Sequence, residues 1–152
     1  MAGTGLIVFA DTSAIVKLYA NEVGSDEVRE LRAVFVSQLC RVEVPAALWR
    51  KNRMGQLSEP ETKVLIAAFE NDLLGADAVL APIRITPGIL DDAAMLLEDH
   101  GLRAYDAIQL ATARAARAIE PECRTVAVVD RQLRVAAAAV GFSLLPTAID
   151  AV

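Results

Sequence analysis

Apolar and polar positions along the 152-residue chain change their period many times, and each change marks an element. Leu6-Ile7-Val8-Phe9-Ala10 is a continuous β-prone run, the pattern of a strand buried on both faces. Asp11-Thr12-Ser13 offers a helix start, and Ala14 to Tyr19 continue it. Ser25 with Asp26 and Glu27 opens a second helix, its acids placed where the helix dipole favours them. Val34-Phe35-Val36 reads as a short strand. A helix then begins at Ser37 or a near neighbour and runs through Glu43 and Trp49 to Gly55. Ser58-Glu59-Pro60-Glu61 is a capping box with proline in the first turn, launching a long helix toward Gly75. Pro82 to Ile85 is predicted as a strand, and Thr86-Pro87 as the start of a helix ending at His100-Gly101. Arg103 to Ile119 follows as an alanine-rich helix. Thr125 to Val129 is the second strongly apolar strand, Asp130 to Val140 a helix closed by Gly141, and Phe142 to Leu145 a final strand. Strands alternate with helices throughout, which predicts a parallel α/β fold. No repeat, low-complexity tract or linker divides residues 1–152, so a single domain is expected.

The chain is 55% apolar, 23% charged and 5% aromatic. That excludes intrinsic disorder and leaves ample material for a core. Its hydropathy is high, which fits a large aliphatic core and equally an apolar surface covered by a partner. The net charge of −5 argues against a broadly nucleic-acid-binding surface. Charge is unevenly spread, however. Residues 31–60 are net basic (Arg32, Arg41, Arg50, Lys51 and Arg53 against Glu43 and Glu59), and a local basic rim attracts phosphates even on an acidic protein. Cys40 and Cys123 show no pairing or zinc spacing and read as buried, reduced thiols of a cytoplasmic protein. No apolar run approaches the roughly 20 residues of a membrane helix.

Four acids interrupt this pattern: Asp11, Glu43, Asp106 and Asp130. Each sits in an apolar neighbourhood, where a carboxylate is costly to bury unless something neutralises it. Asp11 and Asp130 directly follow the two strongest strands. In open parallel sheets the ligand crevice lies beyond the carboxyl ends of strands, where strand order reverses. If those two strands are neighbours, the two carboxylates face one another there, with Glu43 and Asp106 supplied by adjacent helices. A hard divalent cation takes oxygen donors of this kind. The pattern therefore points to a metal-dependent hydrolase, above all a nuclease. The lone His100 fits no triad and reads as a helix-end residue.

These segments closely resemble the PIN-domain ribonucleases, particularly the VapC-type toxins of bacterial toxin–antitoxin pairs. Asp11-Thr12-Ser13-Ala14-Ile15-Val16-Lys17-Leu18-Tyr19 is similar to the family's opening motif, and Arg41-Val42-Glu43-Val44, continued by Ala46-Ala47-Leu48, to its second. Gly101-Leu102-Arg103-Ala104-Tyr105-Asp106-Ala107 resembles the third, and Val129-Asp130-Arg131-Gln132-Leu133 the fourth. The resemblance implies an α/β/α sandwich with a central parallel sheet. It implies that Asp11, Glu43, Asp106 and Asp130 are the metal-site residues, with Ser13 as a supporting hydroxyl and Mg²⁺ or Mn²⁺ as cofactor. It further implies endonucleolytic cleavage of RNA, a homodimer and inhibition by a cognate antitoxin. One position departs: many relatives carry Thr or Ser where this chain has Val128, two residues before Asp130.

Blander roles stand beside these. Asp11 and Asp130 are also natural N-caps, Glu43 can pair with a nearby arginine, and Asp106 suits a helix dipole. Arg50, Lys51 and Arg53 read first as a solvated helix end, Trp49 and Tyr105 as packing residues, and the apolar positions from Val64 to Leu74 chiefly as core. Rival functions are a housekeeping RNA-processing nuclease, a non-catalytic binding module on the same fold, and a phosphatase-type aspartate site. The last of these would want a second aspartate at position 13, which is Ser13.

Overall fold

The computed structural model describes residues 6–20 and 33–147. Five strands and six helices are found there, in the order β1 (Ile7–Ala10), α1 (Thr12–Ala20), β2 (Ala33–Ser37), α2 (Cys40–Arg53), α3 (Glu59–Leu74), β3 (Leu80–Ile83), α4 (Pro87–His100), α5 (Ala104–Ile119), β4 (Thr125–Ala127), α6 (Arg131–Ala139) and β5 (Ser143–Leu145). The helix expected from Ser25 lies outside the described residues.

All strands pair in parallel, in the order β3-β2-β1-β4-β5. The two strongest strands, β1 and β4, are neighbours in register, with Phe9 opposite Val126 and Ala10 opposite Ala127. Side chains alternate across a strand, so β1 feeds two separate cores. Phe9 joins Val126, Leu110, Ala113 and Leu133 against α4, α5 and α6. Val8 and Ala10 join Ile15, Val44, Leu48 and Phe69 against α1, α2 and α3. A sheet buried on both faces by helices is a three-layer α/β/α sandwich, and it explains why β1 is apolar at every position. Among the described residues, no helix is long and apolar enough to cross a membrane.

The helix signals agree with the structure. Ser58 and Glu61 form the reciprocal capping box, Thr86 accepts from the Ile89 N–H, and Gly101 closes α4 at φ +61°. Strand ends differ for a reason that pairing supplies. β3 starts at Leu80, opposite Val34, and stops at Ile83, because its partner β2 ends at Ser37, opposite Ile83. Pro82, which has no N–H to donate, is accommodated because β3 is an edge strand. β4 stops at Ala127, opposite the last residue of β1. Helix α2 begins at Cys40 and not at Ser37, which closes β2 and whose hydroxyl accepts from the Leu39 N–H at 3.1 Å.

One packing expectation holds in part and one fails. Along α3 Phe69 and Leu73 are buried and Leu65 and Ile66 pack against the same core, as expected, but Val64 and Leu74 are exposed, since a surface helix on a small sandwich turns a single stripe inward. Tyr105 is 64% exposed because α5 buries the opposite face, through Ala107, Leu110 and Ala111. Cys40 and Cys123 are buried and unpaired, as expected.

Candidate active site

The order of strands reverses at the β1/β4 pair, and the expected crevice opens beyond its carboxyl end. The Asp11 N–H donates to the Ala127 carbonyl at 2.9 Å, which carries the ladder one residue past β1 and fixes where the carboxylate emerges. That carboxylate is buried, with the residue 6% exposed. Ser13, in the first turn of α1, donates its hydroxyl to Asp11 Oδ2 at 2.7 Å and its N–H to the same oxygen at 3.3 Å. The Ser13 hydroxyl also accepts from the Val129 N–H at 3.1 Å, so one side chain ties together the exits of β1 and β4. Val128 is fully buried and packs in the core, without a hydroxyl to offer.

Glu43 projects from the first turn of α2 and is half-buried. Its Oε1 accepts from Gln109 Nε2 at 3.0 Å, and the same amide nitrogen donates to Thr12 Oγ1 at 3.3 Å. Asp106 stands in the first turn of α5, where Arg103 Nε meets its Oδ2 at 3.3 Å. Asp130 caps α6, its Oδ1 accepting from the Leu133 N–H at 2.9 Å, while its Oδ2 faces Arg103 Nη2 at 3.7 Å. The capping role of Asp130 and the dipole position of Asp106 are thus real and coexist with their place in the crevice.

All four acids and Ser13 line one cavity of about 510 Å³. Their proximity shows in their electrostatics. Burial raises the Asp11 carboxyl to about 6, opposed by the Ser13 hydrogen bonds and reinforced by the charge of Asp106. Burial also raises Glu43, and Asp11 and Asp106 push it further. Asp106 is raised by burial and then by Asp130, against the pull of Arg103. Carboxylates that repel one another in a poorly solvated crevice favour a cation among them. The donors are all hard oxygens, the set that suits a magnesium-type ion. Among the described residues, no three acidic or other ligating side chains are drawn together at metal-holding distance. Such an ion commonly uses only one or two direct carboxylates and reaches the others through water, so a splayed set still fits it.

Lys17, Arg50, Lys51 and Arg103 line the same cavity. Arg50 and Lys51 form the basic end of their helix and also line the cavity. They reach the site because positions 43, 47, 50 and 51 recur at intervals of three and four and share one face of α2. That spacing is readable in the sequence. Thr12 and Gln109 are site residues that the sequence reading misses. The available signal for Gln109 is a lone amide within the apolar stretch Ala107 to Ala111, one helical turn after Asp106.

Residues 8–139 match the family model described as the PIN domain, and the chain belongs to the PIN domain family. Over 148 residues it is 34% identical to Ribonuclease VapC45 of Mycobacterium tuberculosis (strain CDC 1551 / Oshkosh) and to Ribonuclease VapC49 of strain ATCC 25618 / H37Rv, covering 95% of this chain and 98% of each relative. Solved structures with the same fold include a toxin–antitoxin complex from Klebsiella pneumoniae, at a TM-score of 0.53 and 18% identity over 81% of this chain and 86% of that one. PAE2754 from Pyrobaculum aerophilum superposes at a TM-score of 0.54 and 20% identity, over 90% of this chain and 83% of that one.

Proposed function

We propose that this protein is a VapC-type endoribonuclease, the toxin half of a toxin–antitoxin pair, that hydrolyses RNA phosphodiesters with Mg²⁺ or Mn²⁺ bound among Asp11, Glu43, Asp106 and Asp130, to some directly and to the others through water. The observation that carries the reading is the convergence of four acids, each from a different part of the chain, on one cavity walled by cations. The mycobacterial relatives, both ribonucleases by name, support the nuclease, and the toxin–antitoxin complex from Klebsiella supports an antitoxin partner.

Held in this crevice by these acids, the ion would supply water activation and neutralisation of negative charge on the phosphoryl and leaving oxygens. The chain's own residues do the rest. Ser13 does not attack: its proton is committed to Asp11 and its oxygen to the Val129 N–H, so it orients the carboxylate. Lys17, Arg50, Lys51 and Arg103 present cations to the RNA phosphates on either side of the scissile bond. Asp130 keeps Oδ1 on its helix and offers Oδ2 to the site. We place the enzyme in the cytoplasm as a homodimer, one nuclease domain per 152-residue chain, with its cognate antitoxin as the inhibitory partner.

The test is cleavage of a mixed RNA pool by purified, antitoxin-free protein with Mn²⁺, with Mg²⁺ and with EDTA. Metal-dependent cuts at defined positions are expected. Cleavage that survives EDTA, or none at high enzyme concentration with metal present, overturns the reading.

A further inference from the structure

Gln109 is the least expected polar group among the described residues. It lies on α5, is 2% exposed, and is surrounded by residues that pack the core. Burying an amide is costly unless its hydrogen bonds are made. Gln109 makes only those of its nitrogen: Nε2 donates to Glu43 Oε1 at 3.0 Å and to Thr12 Oγ1 at 3.3 Å. Its Oε1 is buried with no partner. The orientation of the amide follows from Glu43, because an ionised carboxylate accepts only and therefore demands the nitrogen. A buried glutamine that leaves its own acceptor unsatisfied in order to direct both N–H groups at one carboxylate and its neighbouring hydroxyl is poorly explained by packing, which a methionine or leucine would serve better.

We infer that Gln109 is a positioning residue that holds Glu43 in place as a ligand and thereby sets the affinity of the site for its divalent cation. This rests on the metal-dependent reading above. Thr12 belongs to the same unit, since it accepts from Gln109 at the start of α1, beside Asp11. The amide so connects three elements, α1, α2 and α5, each of which carries one acid or the residue next to it. Groups that hydrogen-bond to metal ligands typically change metal affinity about 10- to 100-fold when removed.

The experiment is Gln109→Met, which keeps the unbranched shape and removes both donors, with Gln109→Leu carried in parallel. Binding of Mn²⁺ alone is measured by calorimetry, next to wild type and Asp11→Asn, and thermal unfolding is recorded in EDTA. Both Gln109 variants are expected to fold with unchanged or higher melting temperatures, to bind Mn²⁺ about 10-fold or more weakly, and to recover most of their RNA cleavage at saturating Mn²⁺. Wild-type Mn²⁺ affinity in the variants overturns the proposal, as does a loss of cleavage that excess Mn²⁺ does not restore. Failure of both variants to fold assigns Gln109 to the core and also overturns it. Failure of the underlying reading looks different: wild type would bind no Mn²⁺, or Asp11→Asn would bind it as wild type does.

Discussion

Asp11→Asn should make the metal-free protein more stable while abolishing its activity. The buried carboxyl is moved from an ordinary 3.8 to about 6, with burial as the first cause. At about 1.4 kcal/mol per tenfold change in proton affinity, keeping Asp11 ionised in the folded state costs about 3 kcal/mol. Asparagine has nearly the same shape and carries no charge. It retains an oxygen for the Ser13 hydroxyl and N–H, although bonds to a neutral acceptor are roughly half as strong as those to a carboxylate. The value of about 6 already nets the carboxylate's Ser13 bonds against its burial, so the gain at neutral pH is about 3 kcal/mol, or roughly 6–12 °C in melting temperature for a chain of this size. The sign depends on pH. Because the folded-state value lies above the unfolded one, the contribution of Asp11 to stability is whole below about pH 3.8 and is lost as pH rises through about 6. The variant does not titrate there, so its advantage opens across that window and is constant above it. The assay is urea unfolding of both proteins in EDTA from about pH 3 to about pH 8, which brackets both values. With Mn²⁺ at about 100 times its dissociation constant, wild type should gain about 2.7 kcal/mol and the ranking should close or reverse. A variant less stable than wild type in EDTA above the folded-state value, or a difference that ignores pH, refutes the argument that Asp11 is held in an unfavourable setting for the sake of a cation.

Replacing Arg50 and Lys51 together by methionine should weaken binding of a short single-stranded RNA to the inactive Asp11→Asn background. The slope of log affinity against log salt should fall by about 1.4, at about 0.7 for each phosphate that the protein no longer neutralises. An unchanged slope would return both side chains to the role of a plain helix end. Ser58→Ala removes half of the capping box on α3, where Ser58 Oγ accepts from the Glu61 N–H at 3.2 Å. Chemical denaturation should show a loss of about 1 kcal/mol, with RNA cleavage per folded molecule unaltered. The proposed cleavage site lies on α1, α2, α5 and the β4 exit, so a fall in cleavage by folded Ser58→Ala would contradict that placement.

Local signals in the chain decide where most helices start and where the buried strands run. Alternating apolar runs and caps locate β1, α3, α4 and α5, because a helix start or a buried strand is dictated by a few adjacent residues. Ser58-Glu59-Pro60-Glu61 and Gly101 specify their turns with no help from distant parts of the chain. Strand ends are another matter. Arg84 and Ile85 do not belong to β3, and Val128 and Val129 do not belong to β4, because of where β2 and β1 stop. Pairing is a property of the partner, and the partner lies far away in sequence. Burial divides in the same way. Phe9 and Val8 are core by pattern, but Val64 and Tyr105 are exposed because α3 and α5 each turn a single face to the sheet.

The acids are legible one by one, since each carboxylate in an apolar stretch is a local anomaly, and their ordered resemblance to the PIN motifs joins them. Tertiary structure decides what they do to one another. Only the adjacency of β1 and β4 lets Ser13 hold Asp11 and the Val129 N–H at once. Only the packing of α5 beside α1 and α2 brings Gln109, 66 positions from Glu43, to donate to it. Hydrogen bonding and burial act over a few ångströms and charge repulsion over about ten, and the distances that set them are determined by the folded chain, whereas the helix periods and caps that build the scaffold act between near neighbours and are written in the sequence itself.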